Sequence, residues 1–214
     1  SSSVYTQAFL QAALPADAGW VPLITSFGYA LGFLFVVLGR LQLFTEDTIT
    51  VVLPLLARPG VRRFVQAGRL WLIVFAANLV GTCLSAAFVH FAGVGAESSS
   101  AIMEIAAGHA DRGFWATAAY GVPAGFLVAA LVWTLPNAHG GGVLLIVIVS
   151  YVIALGGFAH VVVGSTESFL LVFAGESGLL HAAVHSVLPA FLGNVAGGTG
   201  LFALIAYGQV REEL

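Results

Sequence analysis

The sequence predicts an all-α integral membrane protein, and three observations lead there. Charged residues make up only 8% of the 214 and hydrophobic residues 59%, whereas a soluble domain carries roughly 25% charged residues. The mean hydropathy is +1.01. The apolar residues collect in uninterrupted runs of about 20, the length a helix needs to cross a bilayer, and not in the alternating ~10-residue segments of barrel strands. Seven cationic and ten acidic residues cannot cover the water-facing surface of a 22.1 kDa globule. This composition excludes an ordinary soluble enzyme and a disordered chain, and a net charge of −3 excludes a nucleic-acid binder. Every cation is an arginine, and the single cysteine, Cys83, leaves no intrachain disulfide and no cysteine-based metal site.

Five stretches free of Asp, Glu, Lys and Arg read as spans: Val21–Gly39, Leu70–Ala96, Gly113–Leu135, Val143–Thr166 and Ser186–Tyr207. The Pro136–Gly142 stretch separates the third from the fourth of these. Ser1–Leu14 is too short to span and lacks the basic n-region and cleavage site of a signal peptide. It is expected to be the outer half of a first helix, truncated in this chain, of a six-span parent. Arg58, Arg62, Arg63 and Arg69, between the second and third of six spans, and Arg211 after the last belong inside by the positive-inside rule, which makes the C-terminus cytoplasmic. The 93–111 connection, with Glu97, Glu104 and Asp111 and no cation, belongs outside.

An internal repeat accompanies these spans. Asn78-Leu79-Val80-Gly81 and Asn194-Val195-Ala196-Gly197 lie 116 residues apart, and the same offset carries Leu43-Phe44-Thr45 onto Ala159-His160-Val161. Three spans per half is an odd number, so the halves, about 1–92 and 112–209, must be inverted with respect to one another. Inverted repeats bring discontinuous helices together near the bilayer midplane. Against this stands chance recurrence of Asn-x-x-Gly in a glycine-rich chain.

Four charges interrupt apolar runs: Arg40, Glu46, Asp47 and Glu167. A charge at the bilayer centre costs roughly 2.5–3.5 kcal/mol on insertion scales, so it persists where it is paired or faces water or substrate. Arg40 is expected to pair with Glu46, Asp47 or Glu167, either as a lock between helices or as part of a transport path. Thr45-Glu46 and Thr166-Glu167 place each acid in the first turn of a half-helix, where exposed N–H groups favour a carboxylate. The polar segment Gly39–Asp47 and the Gly156-Gly157-Phe158-Ala159-His160 segment both read as breaks at membrane depth, tolerated only where protein or a cavity covers them. His160 is the one buried group with an ordinary pKa near neutrality. His90, His139, His181 and His185 are expected at the surface, and the His181/His185 spacing has no third metal ligand.

These residues resemble the formate/nitrite transporter family along essentially the whole chain. Leu43-Phe44-Thr45 is similar to the family's motif in the loop that breaks the second helix, and Gly157-Phe158-Ala159-His160 to that of the fifth, with His160 at the central histidine. Asn78-Leu79-Val80-Gly81 and Gly193-Asn194-Val195-Ala196-Gly197-Gly198 match the motifs of the third and sixth helices. The local wording resembles a less characterised inner-membrane branch. The resemblance implies one transmembrane channel domain over residues 1–214. Its expected architecture is an aquaporin-like six-helix inverted repeat with broken second and fifth helices, assembled as a homopentamer in the inner membrane. It implies conduction of small monovalent anions of weak acids such as formate or nitrite, no cofactor and no enzymatic activity. Thr45, His160, Phe44 and Leu43 would stand at the pore centre, with constrictions at Tyr29, Phe33 and Ile153 and with Asn78 and Asn194 as structural polar residues. The family's vestibule lysine falls at His109, and two of its asparagines fall at Gly125 and Gly164. Protonation through His160, relayed by Thr45, would let an anion cross as the neutral acid. The alternatives are a neutral-solute channel and a non-conducting membrane subunit whose pore is plugged by an ion pair.

Overall fold

The computed structural model describes residues 1–15, 18–110 and 112–210, so the expectations placed on Asp111 and Arg211 lie outside the described residues. The described residues form helices and no strand. In chain order these are α1 (Ser2–Ala12), α2 (Val21–Leu38), α3 (Phe44–Thr50), α4 (Val52–Ala57), α5 (Val61–Ala92), α6 (Ala96–Ala110), α7 (Phe114–Thr134), α8 (Gly142–Leu155), α9 (Val161–Phe173) and α10 (Leu179–Gln209). Helices α2, α5 and α10 are long and apolar enough to cross a membrane, as is α7 with the 3₁₀ turn that extends it to Asn137. Helices α8 and α9 are shorter apolar pieces.

Two elements depart from the sequence reading. Helix α5 begins at Val61, before the apolar run does, because Arg62, Arg63 and Arg69 are exposed and continue the helix past the apolar stretch. Within the connection expected outside, Ala96–Ala110 folds into α6. It buries Ala101, Ile102, Ile105 and Ala106 on one face, at the spacing of a 3.6-residue period, and packs on α1 and α9.

Glycine sets how closely the helices approach. Gly28 and Gly32 on α2 lie against the backbone of Thr6, Gln7 and Ser3 on α1, and Thr6 Oγ1 donates to the Gly28 carbonyl. Gly121 and Gly125 on α7 meet Gly193 and Asn194 on α10, and Gly197 meets Val122 and Phe126, backbone to backbone, so a Cβ at Gly125, Gly193 or Gly197 would overlap the partner helix and one at Gly121 would be tight. These are small-xxx-small contacts, which replace hydrophobic burial as the packing force inside a bilayer. Gly125, where the family resemblance leads one to expect an asparagine, has no room for a side chain. Helix α10 contains two π-helical segments, Ala182–Val187 and Ala196–Ala203. In the second, Gly198 sits on Thr48 and Thr199 Oγ1 donates to the Thr48 carbonyl at 2.6 Å, which seats α3 against α10.

The two breaks are built alike. Helix α2 ends with Gly39 as cap, and Arg40 follows at φ 51. The Arg40 N–H reaches the Val37 carbonyl at 3.1 Å and the Leu41 N–H the Val36 carbonyl at 2.9 Å. Helix α8 ends with Gly156 as cap, and Gly157 follows at φ 58. There the Gly157 N–H reaches Ala154 at 3.0 Å and the Phe158 N–H reaches Ile153 at 3.0 Å. Both are Schellman endings. The chain then runs extended through Leu43 (φ −115, ψ 126) or His160 (φ −102, ψ 117) into the next half-helix.

An asparagine bridges each gap. Asn78 Oδ1 accepts the Phe44 N–H at 2.9 Å while Nδ2 donates to the Gln42 carbonyl at 3.1 Å. Asn194 Oδ1 accepts the Val161 N–H at 2.8 Å while Nδ2 donates to the Ala159 carbonyl at 2.7 Å and the Gly121 carbonyl at 2.9 Å. The inverted repeat is therefore real, with one correction of register. Gly39, Arg40 and Phe44 correspond to Gly156, Gly157 and Val161, an offset of 117, so His160 is the counterpart of Leu43 and not of Phe44. The asparagines keep the offset of 116, because the two halves differ by one residue between the break and the brace. A second correction concerns Glu167. It is the seventh residue of α9, well past the first turn where the sequence reading put it, whereas Glu46 is in the first turn of α3.

The braces are unequal. Asn194 is fully buried and makes three bonds, whereas Asn78 makes two and is only half-buried. Leaving a buried backbone donor or acceptor unpaired costs about 1–3 kcal/mol per group. Asn194→Ala is expected to destabilise the detergent-solubilised protein by several times that of a surface substitution, and by more than Asn78→Ala, as read by thermal unfolding of the two variants side by side. Arg40 holds a left-handed conformation that its counterpart fills with glycine, at a cost of roughly 1 kcal/mol for a residue with a Cβ. Arg40→Gly is therefore expected to raise the midpoint of the same unfolding curve.

Candidate functional site

The extended residue before α9 places His160 at the crossing of the two breaks. Its ring is buried, and its two nitrogens have different partners. Nδ1 accepts the Val163 N–H at 3.3 Å, capping α9, and Nε2 lies 2.9 Å from Thr45 Oγ1 on α3. An N–H donor on Nδ1 fixes that nitrogen as the acceptor, so in the neutral ring Nε2 carries the proton and donates it to Thr45. Thr45 is fully buried. One hydrogen bond thus joins the first half-helix of one repeat to the break of the other.

The remaining residues expected at the pore centre and at its constrictions divide into two groups. Phe33 packs edge-on against the His160 ring, with centroids 5.2 Å apart, and stacks on Tyr29 at 5.6 Å. Tyr29 and Ile153 line the cavity beside His160. Phe44 does not: its ring is fully buried among Trp71, Phe75 and Phe191 at 5.0–5.6 Å, where it wedges α3 against α5 and α10. Leu43 is buried at the head of α3.

The cavity of about 90 Å³ opens from His160 toward α6. Three charge-bearing side chains line it: His109 from α6, Arg112 just before α7, and Glu167 from α9. His109 Nδ1 and Glu167 Oε2 are 2.9 Å apart, with the carboxylate largely buried. The Glu167 carboxylate holds the His109 imidazole above its ordinary pKa of 6.5, first by charge and then by the hydrogen bond, against the opposing effect of burial. Arg112 Nη1 donates to the Gly157 carbonyl at 2.6 Å, and its guanidinium lies 4.6 Å from the centroid of the Tyr120 ring. Gly164, where the family resemblance leads one to expect an asparagine, also lines the cavity and has open space where a side chain would stand.

The expected partner set of Arg40 is not formed. Arg40 is exposed, and among the described residues the only ion pair is His109–Glu167. Arg40 stands at a left-handed residue in the first break and makes no ion pair with Glu46, Asp47 or Glu167. Among the described residues no ion-pair plug forms through Arg40. Glu46 and Asp47 lie on α3, where Glu46 Oε1 and Asp47 Oδ2 are buried with no hydrogen-bond partner among the described residues, and Thr50 Oγ1 donates to Asp47 Oδ1 at 3.1 Å. His90, His139, His181 and His185 are exposed as expected, and among the described residues no group of three metal-ligating side chains forms.

Sequence reading missed Arg112. The signal was present: it is the sole cation between Leu70 and Val210 and stands at the head of a span. Nothing local in the sequence shows that it reaches to a carbonyl 45 residues on.

Comparison with known proteins places this geometry. The family model described as Formate/nitrite transporter matches residues 1–208. The chain is 34% identical over 193 residues to the inner membrane protein YfdC of Escherichia coli (strain K12), covering 90% of this chain and 62% of that protein. It thus spans somewhat under two thirds of the length of that relative. Among solved structures it is similar to a pentameric formate channel with formate bound (TM-score 0.80, 19% identity, covering 99% of this chain and 93% of that one). It is also similar to an FNT family ion channel (TM-score 0.80, 19% identity, covering 97% and 88%). At that identity the likeness shows the fold, which is the aquaporin-like one. With paired broken helices, asparagine braces and a family match along nearly its whole length, the chain belongs to the formate/nitrite transporter family.

Proposed function

We propose that the chain is a membrane channel for small monovalent anions of weak acids, formate and nitrite among them, in which His160 supplies a proton. The observation that carries this reading is the His160–Thr45 hydrogen bond, which joins the two breaks at a buried crossing beside a cavity bearing cations. Similarity to the formate-bound pentameric channel supports the substrate class and a homopentamer. Similarity to an inner membrane protein supports the same location. The exposed Arg58, Arg62, Arg63 and Arg69 favour a cytoplasmic α4–α5 connection, an outward-facing α6 and a cytoplasmic C-terminus.

The chemistry follows from desolvation. A bare anion loses far more on leaving water than the corresponding neutral acid does. In the α6-side cavity Arg112 and protonated His109 offset the Glu167 carboxylate and the anion. At His160 the anion takes a proton from the imidazolium: one N–H bond breaks, one O–H bond forms, and the ring returns to neutrality. Loading the second proton onto Nδ1 requires opening only the 3.3 Å bond from Val163, the longer of the two that hold the ring. Thr45 keeps the Nε2 edge in place meanwhile.

His160→Phe is expected to abolish pH-dependent formate or nitrite flux in proteoliposomes, and unchanged flux would refute the mechanism. Arg112→Gln is expected to raise the KM for an anion supplied on the α6 side several-fold, with a smaller effect on maximal flux. The sign of the His109 effect follows from its raised pKa. Its cationic form is complete well below that value and is lost as pH rises through it, leaving the Glu167 carboxylate uncompensated, so the KM should climb over that interval. Glu167→Gln should move the climb down toward an ordinary histidine pKa, measured by titrating pH on the α6 side alone.

A further inference from the structure

The repeat places a second polar station on the other side of the crossing. With the offset of 117, Val163 and Gly164 of α9 correspond to Glu46 and Asp47 of α3. Val163 and Gly164 both line the cavity on the α6 side of His160. The inverted repeat therefore carries Glu46 and Asp47 to the matching place on the α4 side, one step along α3 from Thr45. The matched positions are thus chemically unlike: Val163 and Gly164 are uncharged, whereas their counterparts are two adjacent carboxylates.

Each carboxylate also has an oxygen that nothing among the described residues satisfies. Asp47 is 5% exposed, and its Oδ2 is buried without a partner among the described residues. Glu46 Oε1 is in the same state. Among the described residues the surroundings offer no cation to either. Helix α4 and the Leu188–Ala203 part of α10 have no titratable side chain. Helix α7 has only Tyr120, which stands against Phe158 and Arg112 at the other break. Helix α5 brings the Trp71 indole to the Asp47 carbonyl at 3.0 Å, while its arginines are exposed. Helix α9 brings His160, through Thr45, and Glu167, which is held by His109. Arg40, in the preceding loop, has no carboxylate within ion-pair distance among the described residues. A buried carboxylate oxygen without a donor is relieved most directly by a proton.

We propose that Glu46 and Asp47 form a proton-holding carboxylate pair that serves the α4-side vestibule as His160 serves the α6 side. An anion approaching from the α4 side takes the carboxyl proton: the pair's O–H bond breaks, an O–H bond forms on the anion, and the pair is left with a carboxylate that water on that side reprotonates. In the opposite direction an acid that has crossed neutral returns its proton to that carboxylate. This role deepens the weak-acid channel reading and rests on it, but the proton itself can be detected without any flux.

The test has two arms. Infrared spectra of the purified protein in lipid at neutral pH should show a protonated-carboxyl C=O band that disappears in Glu46→Gln/Asp47→Asn and weakens in each single variant. In proteoliposomes with pH set independently on the two sides, the double variant should slow flux started from the α4 side several-fold. It should also lose dependence on the pH of that side, while flux from the α6 side keeps its His160-dependent profile. A wild-type spectrum without the band, or a band that survives in the double variant, overturns the pair. Should the double variant fail to assemble, the wild-type band and the single variants decide the matter alone. A band with the predicted behaviour in a protein that carries no weak acid supports the pair and refutes the channel reading.

Discussion

The structure depends on satisfying backbone groups where there is no water to do so. Two helices stop and restart at membrane depth, and each interruption frees N–H and C=O groups that lipid cannot pair. The protein answers from within. Two asparagine side chains bridge the gaps, Arg112 takes the Gly157 carbonyl, the Tyr120 carbonyl takes the Ala159 N–H at 3.0 Å, and His160 caps its own helix. Everything functional about the site follows from this repair. The extended residues that need bracing are the ones that bring His160 and Thr45 face to face.

Close helix approach is the second condition. The asparagine of α10 reaches the break of α8–α9 and the Gly121 carbonyl only because glycines on α7 and α10 let those backbones touch. The π-helical segment after Asn194 then turns Gly198 and Thr199 toward Thr48, so one irregular helix supports both half-helices. Packing and polar repair are in this sense one arrangement.

Much of this was legible in the sequence. The apolar runs, the two breaks, the paired asparagines and the central histidine each carry a local signature: length, glycine or polar interruption, repetition at a fixed offset. What was not legible depended on direction or reach. The one-residue slip of the repeat arises between break and brace and is visible only when the hydrogen bonds of the two Schellman endings are aligned. Arg40 looked like a membrane charge in need of an acid, yet its left-handed backbone turns the chain so that the side chain stays exposed. Phe44 stood in a pore motif, but its size and the neighbouring Trp71, Phe75 and Phe191 draw it into packing. Helix α6 escaped detection because a short amphipathic segment between spans resembles a loop in composition.

The unequal braces also bear on how the two halves are held. Two halves related by an inverted repeat would respond alike to a load if they were fastened alike. Here the α9 half is tied by a buried side chain to two elements at once, while the α3 half is tied by a half-buried one that reaches only its own break. The α3 half also carries a strained Arg40 and two carboxylates that each have a buried oxygen without a partner among the described residues. A fold with two-fold geometry is therefore fastened by polar side chains more heavily at one break than at the other.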